Sequence, residues 1–187
     1  MARWPTWASG GTLQPARKEM AENISPLPSV QARTIARVLV GSADEHAAKA
    51  VRDGYGALPH GDRAVVDLSL LQGRSAQDTA RLLGCSPQAV SRARCRALGA
   101  LGGRAGAAAD GLRDEPEASL GPEDGAALRG AGVARLSQVL WVDELRALAG
   151  MCAGLPEAQV LRIATALGRT RRERVSELRG ALRGKDS

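Results

Sequence analysis

What most constrains this chain is what its core lacks. No Phe occurs in 187 residues, Tyr55 is the single Tyr, and two of the three Trp (Trp4 and Trp7) sit at the N-terminal extreme. An interior without large rings has to be filled by Leu, Val, Ala and Ile. Leu and Ala favour helices, whereas strands draw on aromatic and β-branched side chains, so the expected fold class is all-α, built as small helical bundles. A hydrophobic share of 44% can fill a core, and 25% charged residues is ordinary. The length accommodates one mid-sized domain or two small ones. No apolar run reaches the roughly 18–20 residues a membrane helix needs, and no signal segment opens the chain. A cytoplasmic location with no membrane partner is expected.

Little in the chain suggests catalysis. Cys85, Cys95 and Cys152 are odd in number and form no C-x-x-C, so neither a disulfide framework nor a zinc site is signalled. His46 and His60 would have to serve any Cys–His pair, yet Cys85 and Cys95 fall at packing positions of the motif described below. No P-loop, G-x-G-x-x-G or H-E-x-x-H is present. We therefore expect no catalytic residue, no metal site and no cofactor. The enzymatic alternative is a DNA-capping or priming reaction with Tyr55, or a Ser or Thr hydroxyl, as nucleophile. A Tyr packed between helices is the simpler reading, since no carboxylate cluster for metal-assisted phosphoryl transfer accompanies it.

The net charge of +6 is unevenly spread. Residues 58–104 hold 7 basic and 3 acidic side chains, residues 105–157 hold 4 and 9, and residues 158–187 hold 8 and 3. An anionic partner would meet the middle segment and the C-terminal tail. Residues 1–29, with Trp4-Pro5, Gly10-Gly11 and Ser25-Pro26-Leu27-Pro28, show no sustained period and read as a disordered arm. Residues 30–40 and 43–57 read as two helices, the second opened by Asp44-Glu45, which suits a positive helix N-terminus. They complete a first domain, 30–101. Residues 102–117, Gly/Ala-rich and then charged, read as a linker to a second domain, 118–187.

The informative stretch is LPHGDRAVVDLSLLQGRSAQDTARLLGCSPQAVSRARCRALGAL, Leu58 to Leu101. Val65, Val66, Leu68, Leu70 and Leu71 mark a helix ending at Gly73. Ser75-Ala-Gln-Asp78 resembles a capping box, and the helix it opens should bury Ala80, Leu82 and Leu83 before Gly84 stops it. Ser86 is a good N-cap with Pro87 at the first helical position. Val90, Ala97, Leu98 and Leu101 then recur at helical spacing. Two helices joined by a tight Gly-containing turn form a helix-turn-helix. Ala80 is small where the helices cross, Gly84 supplies a positive φ, and Val90 anchors the second helix. That helix carries Arg92, Arg94 and Arg96, with Arg104 beyond, and no acid falls between Pro87 and Ala109. The planar guanidinium suits phosphates and guanine edges.

On these residues the stretch resembles region 4 of the sigma-70 family, above all the extracytoplasmic-function type. The resemblance rests on Leu58-Pro59, Asp62-Arg63-Ala64-Val65-Val66, Gly73, Ser75, Ala80, Leu83-Gly84, Ser86 and Val90, with Thr79 standing where a larger aliphatic is usual. It implies a module that reads the promoter −35 element and touches RNA polymerase. The residues before 43 are too few and too poorly patterned for region 2, so a complete sigma factor is not expected. The run LRGAGVARLSQVLWVDELRALAG…GLPEAQVLRIATAL is similar to the helix-hairpin-helix class, including the C-terminal domain of the RNA polymerase α subunit. That likeness implies backbone N–H groups presented to a phosphate, although Pro156 replaces the second hairpin Gly. The other reading of this part is a protein-interaction or homodimerisation bundle. A separate last helix, residues 170–184, carries a short apolar stripe of Val175, Leu178 and Leu182 beside its arginines.

The expected function is a sequence-specific regulator of transcription that binds double-stranded DNA. Ser86, Gln88, Ser91 and Arg92 should lie nearest the bases, and Arg94, Arg96 and Arg104 should grip phosphates. Arg169, Arg171 and Arg172 offer a second backbone contact. The competing function is a factor that docks on RNA polymerase or a sigma factor without reading DNA.

Overall fold

The computed structural model describes residues 26–108, 115–142 and 144–184. Among the described residues there are ten α-helices, one π-helical segment and no strand, so the chain is all-helical. Helix α1 spans Ser29–Val40 and α2 spans Glu45–Gly56. Helix α3, His60–Val66, passes directly into the π segment Asp67–Leu71. Helix α4 is Ala76–Leu83 and α5 is Pro87–Ala108. Then come α6 (Pro116–Leu120), α7 (Pro122–Gly130), α8 (Ser137–Leu140), α9 (Leu145–Met151) and α10 (Glu157–Arg183).

The helix boundaries follow from local chemistry. Asp44 Oδ1 accepts from the Ala47 amide at 2.7 Å and caps α2. Ser75 Oγ accepts from the Asp78 amide at 3.0 Å and donates back to Asp78 Oδ2 at 2.6 Å, which closes the start of α4. Gly84, at φ 62°, ends α4 in the left-handed region, where a side chain would be strained.

Helix α5 is the axis of the molecule and packs on α1, α2, α3, α4 and α8. Ile35, Val38, Leu39, Val51, Leu98 and Leu101 share one apolar cluster with Leu128, Leu136, Leu140, Leu148, Ile163, Leu167 and Leu178. A smaller cluster of Val65, Ala80, Val90 and Ala93, flanked by half-buried Leu83 and Cys85, joins α4 to α5. Burying this aliphatic surface is the main stabilising term, at about 25 cal/mol per Å² removed from water.

Several expectations change. The first 25 residues of the supposed arm lie outside the described residues, but Leu27 is buried and Ser29 already opens α1. The supposed linker is helical from 102 to 108, with Gly102, Ala105 and Gly106 buried, and helical again from Pro116, while residues 109–114 lie outside the described residues. Trp141 packs on α5 where this run begins. A Cβ on Gly99 would stand 3.1 Å from Trp141 Cβ, and one on Gly102 would stand 3.6 Å from Trp141 Nε1. A Gly/Ala run can thus be a close helix contact as well as a tether. The separate last helix is also absent. Residues 157–183 form one helix that runs through Gly168, because Val160, Ile163, Leu167, Thr170, Arg174 and Leu178 hold a single buried stripe across it.

Candidate nucleic-acid interface

Helices α4 and α5 stand as a helix-turn-helix, with α5 set by its cap. Ser86 Oγ accepts from the Ala89 amide at 3.1 Å, and Pro87 starts the helix. Val90, Ala93, Ala97 and Leu98 face inward. The opposite side of the first two turns carries Gln88, Ser91 and Arg92, neighbours at i, i+3 and i+4, with Gln88 and Arg92 exposed and Ser91 half-buried. Among the described residues neither Gln88 nor Arg92 is tied up in an ion pair or hydrogen bond. Ser86 is exposed, although its Oγ already serves the helix.

The other arginines of α5 are placed differently. Arg96 donates to Asp62 through Nη2 at 2.7 Å and Nε at 3.3 Å. The Asp62 side chain keeps only 10% exposure, so the pair staples α5 to the first turn of α3. Arg94 is half-buried. Its Nε is buried without a hydrogen-bond partner, and burial together with the nearby Arg179 charge holds its pKa below the usual arginine value. Arg104 is exposed and rests its stem on α2, where a Cβ on Gly54 would meet Arg104 Cδ at 3.0 Å. Twelve residues of helix put it about 18 Å beyond Arg92.

On α10, Arg169 and Arg172 are exposed and border a shallow cleft with Leu161, Arg162 and Thr165, whereas half-buried Arg171 donates to the Val142 carbonyl at 3.2 Å. Sequence reasoning missed how the remaining basic residues of this helix are used. Arg174 is buried and donates to the Val38 carbonyl at 2.5 Å, at the last turn of α1. Arg179 donates to the carbonyls of Ser69 (3.2 Å) and Arg74 (3.3 Å), and Arg183 to that of Gly73 (2.7 Å). These carbonyls belong to helix ends and the turn that follows, where unsatisfied oxygens attract cations. Arg162 meets Glu123 and Asp124 in the first turn of α7 at 2.9 and 3.0 Å. The opposite charges of 105–157 and 158–187 are therefore partly spent on each other. The period-matched stripe of α10 was the one signal that could have located this packing.

Two more positions differ from expectation. Leu82, expected to be buried, is 42% exposed, because the inward face of α4 runs through Thr79, Ala80 and Leu83. Thr79 is wholly buried, and its Oγ1 has no hydrogen-bond partner, so the hydroxyl at a usually aliphatic position carries a desolvation cost. Tyr55 is 2% exposed beneath the Arg63 guanidinium, and burial pushes its phenol up to about 12. A buried phenol with a raised pKa is a poor nucleophile. Among the described residues no helix is long and apolar enough to cross a membrane, and no group of three His, Cys, Asp or Glu could hold a metal.

Comparison with known proteins assigns the central part of this architecture. No curated protein and no solved structure matches the chain. The family model of sigma-70, region 4 matches residues 50–101, from the middle of α2 to Leu101 of α5. Domains of this family bind promoter DNA. Residues 50–101 are therefore a sigma-70 region 4 helix-turn-helix segment, set here within a larger all-helical chain.

Proposed function

We propose that the protein is a sequence-specific, promoter-directed regulator that reads duplex DNA through the first two turns of α5. The observation that carries this is the free face of Gln88, Ser91 and Arg92 on a helix without acids, at the recognition position of a region 4 fold. We also infer that the chain is not by itself a complete sigma factor. The described helix before the matched segment, α1, is spent on packing through Ala32, Ile35, Ala36, Val38, Leu39 and Val40. The C-terminal helices brace the reader through α8 and α10, and no DNA contact by Arg169, Arg171 or Arg172 is needed for that role.

Duplex binding measured against salt tests the reading. Phosphate contacts release counterions, so affinity should fall steeply and linearly in log–log form as salt rises. Binding to RNA polymerase with no duplex binding at any salt concentration would favour the docking factor instead.

A further inference from the structure

Where α10 ends against the turn into α4, positive charge accumulates. Arg179 and Arg183, one turn apart, spend one or two donors each on the carbonyls of Ser69, Gly73 and Arg74. On α5, Arg94 is half-buried, its Nε has no hydrogen-bond partner, and the charge of Arg179 bears on it. The side chain of Arg74 is exposed at the rim and bonded to Gln72 Oε1 at 3.1 Å. Among the described residues none of these four arginines has a carboxylate within ion-pair distance. Arg94 is depressed by burial and then by Arg179, and Arg179 by burial and then by Arg183, so the guanidiniums repel one another. Neutral carbonyls orient such a group but do not neutralise it. Its unspent N–H donors suit a tetrahedral anion, which several guanidiniums can grip at once.

The place of the cluster argues for the anion's source. Gly73 and Arg74 directly precede the Ser75 cap of α4, and in a helix-turn-helix the first helix crosses the DNA backbone. We propose that Arg94, Arg179 and Arg183, rimmed by Arg74, form a phosphate site that a backbone phosphate of bound DNA occupies beside the helix-turn-helix. The C-terminal helix would thereby lengthen the DNA footprint beyond the matched segment. The site rests on the DNA-binding reading above only for its occupant; its affinity for phosphate does not.

Two measurements separate these. In the first, the slope of log affinity against log salt is compared for the parent, Arg183→Gln and Arg183→Lys on one duplex. The Gln variant should lose about one unit of slope with sequence preference unchanged, and the Lys variant should keep it. In the second, melting temperature is followed in inorganic phosphate against chloride at equal ionic strength. Phosphate should stabilise the parent more than Arg94→Gln, with circular dichroism showing both folded. An unchanged slope in folded Arg183→Gln would overturn the DNA-backbone occupant. Equal phosphate stabilisation of parent and Arg94→Gln would overturn the site itself. If the parent binds no duplex but phosphate still stabilises it selectively, the DNA occupant falls and a free-phosphate site stands.

Discussion

Arg92 and Arg96 lie four residues apart on one helix, and their chemistry separates through their neighbours. Arg92 has solvent before it, whereas Arg96 neutralises a carboxylate that α3 holds nearly out of water. Removing Arg96 leaves Asp62 charged and desolvated. Because the guanidinium is itself half exposed, the cost is discounted from that of a fully buried pair, and Arg96→Ala should lower unfolding free energy by about 1–2 kcal/mol. Arg92→Ala should leave stability within about 0.5 kcal/mol, as for an ordinary surface site. Urea titration of the two variants checks this, and equal stability would mean that the Asp62 pair contributes nothing. The capping residues of α4 and α5 were legible in the sequence because a cap is a local event of three or four residues. The Asp62–Arg96 pair was not, because its partners are 34 residues apart. Nothing in the local pattern distinguishes a stapled arginine from a solvated one.

At the scale of elements, the least legible helix segment was the C-terminal end of α5. The run from Gly102 onward read as a linker because glycine lowers helix propensity, and Trp141, which packs on this end of α5, lies some forty residues downstream. The same segment contains a control. Nothing lies within 4 Å of a Cβ built on Gly103, while one on Gly99 meets Trp141 at 3.1 Å. Gly103→Ala should therefore stabilise by about 0.5–1 kcal/mol through backbone entropy. Gly99→Leu should destabilise by about 1–3 kcal/mol through overpacking. Opposite shifts of melting temperature are expected. If Gly99→Leu is as stable as the parent, Trp141 does not rest on α5 as described. Helix α10 was legible in its periodicity but split in two, since Gly168 and the following arginines look like a break unless the buried stripe is followed across them.

Across the whole molecule, one apolar cluster runs from Leu27 to Leu178 and joins the matched segment to the helices that follow it. We expect one cooperative thermal transition, with equal calorimetric and van't Hoff enthalpies. Two resolved transitions would instead support independent domains at 30–101 and 118–187. The absence of Phe made an aliphatic helical fold legible, and the region 4 spacing made the helix-turn-helix legible. The way the rest of the chain folds back on that segment was not, because it depends on arginine-to-carbonyl contacts such as Arg183 to Gly73, 110 residues apart. The central claim remains that α5 reads bases. Its most direct test is selection of bound sequences from a randomised duplex pool, by the parent and by Arg92→Ala, at two salt concentrations. The parent should enrich one short motif at both. Arg92→Ala should lose about 1–3 kcal/mol of affinity for that motif and relax preference at one or two adjacent base positions. No enrichment by the parent, or an identical motif of equal affinity from the variant, would contradict the account.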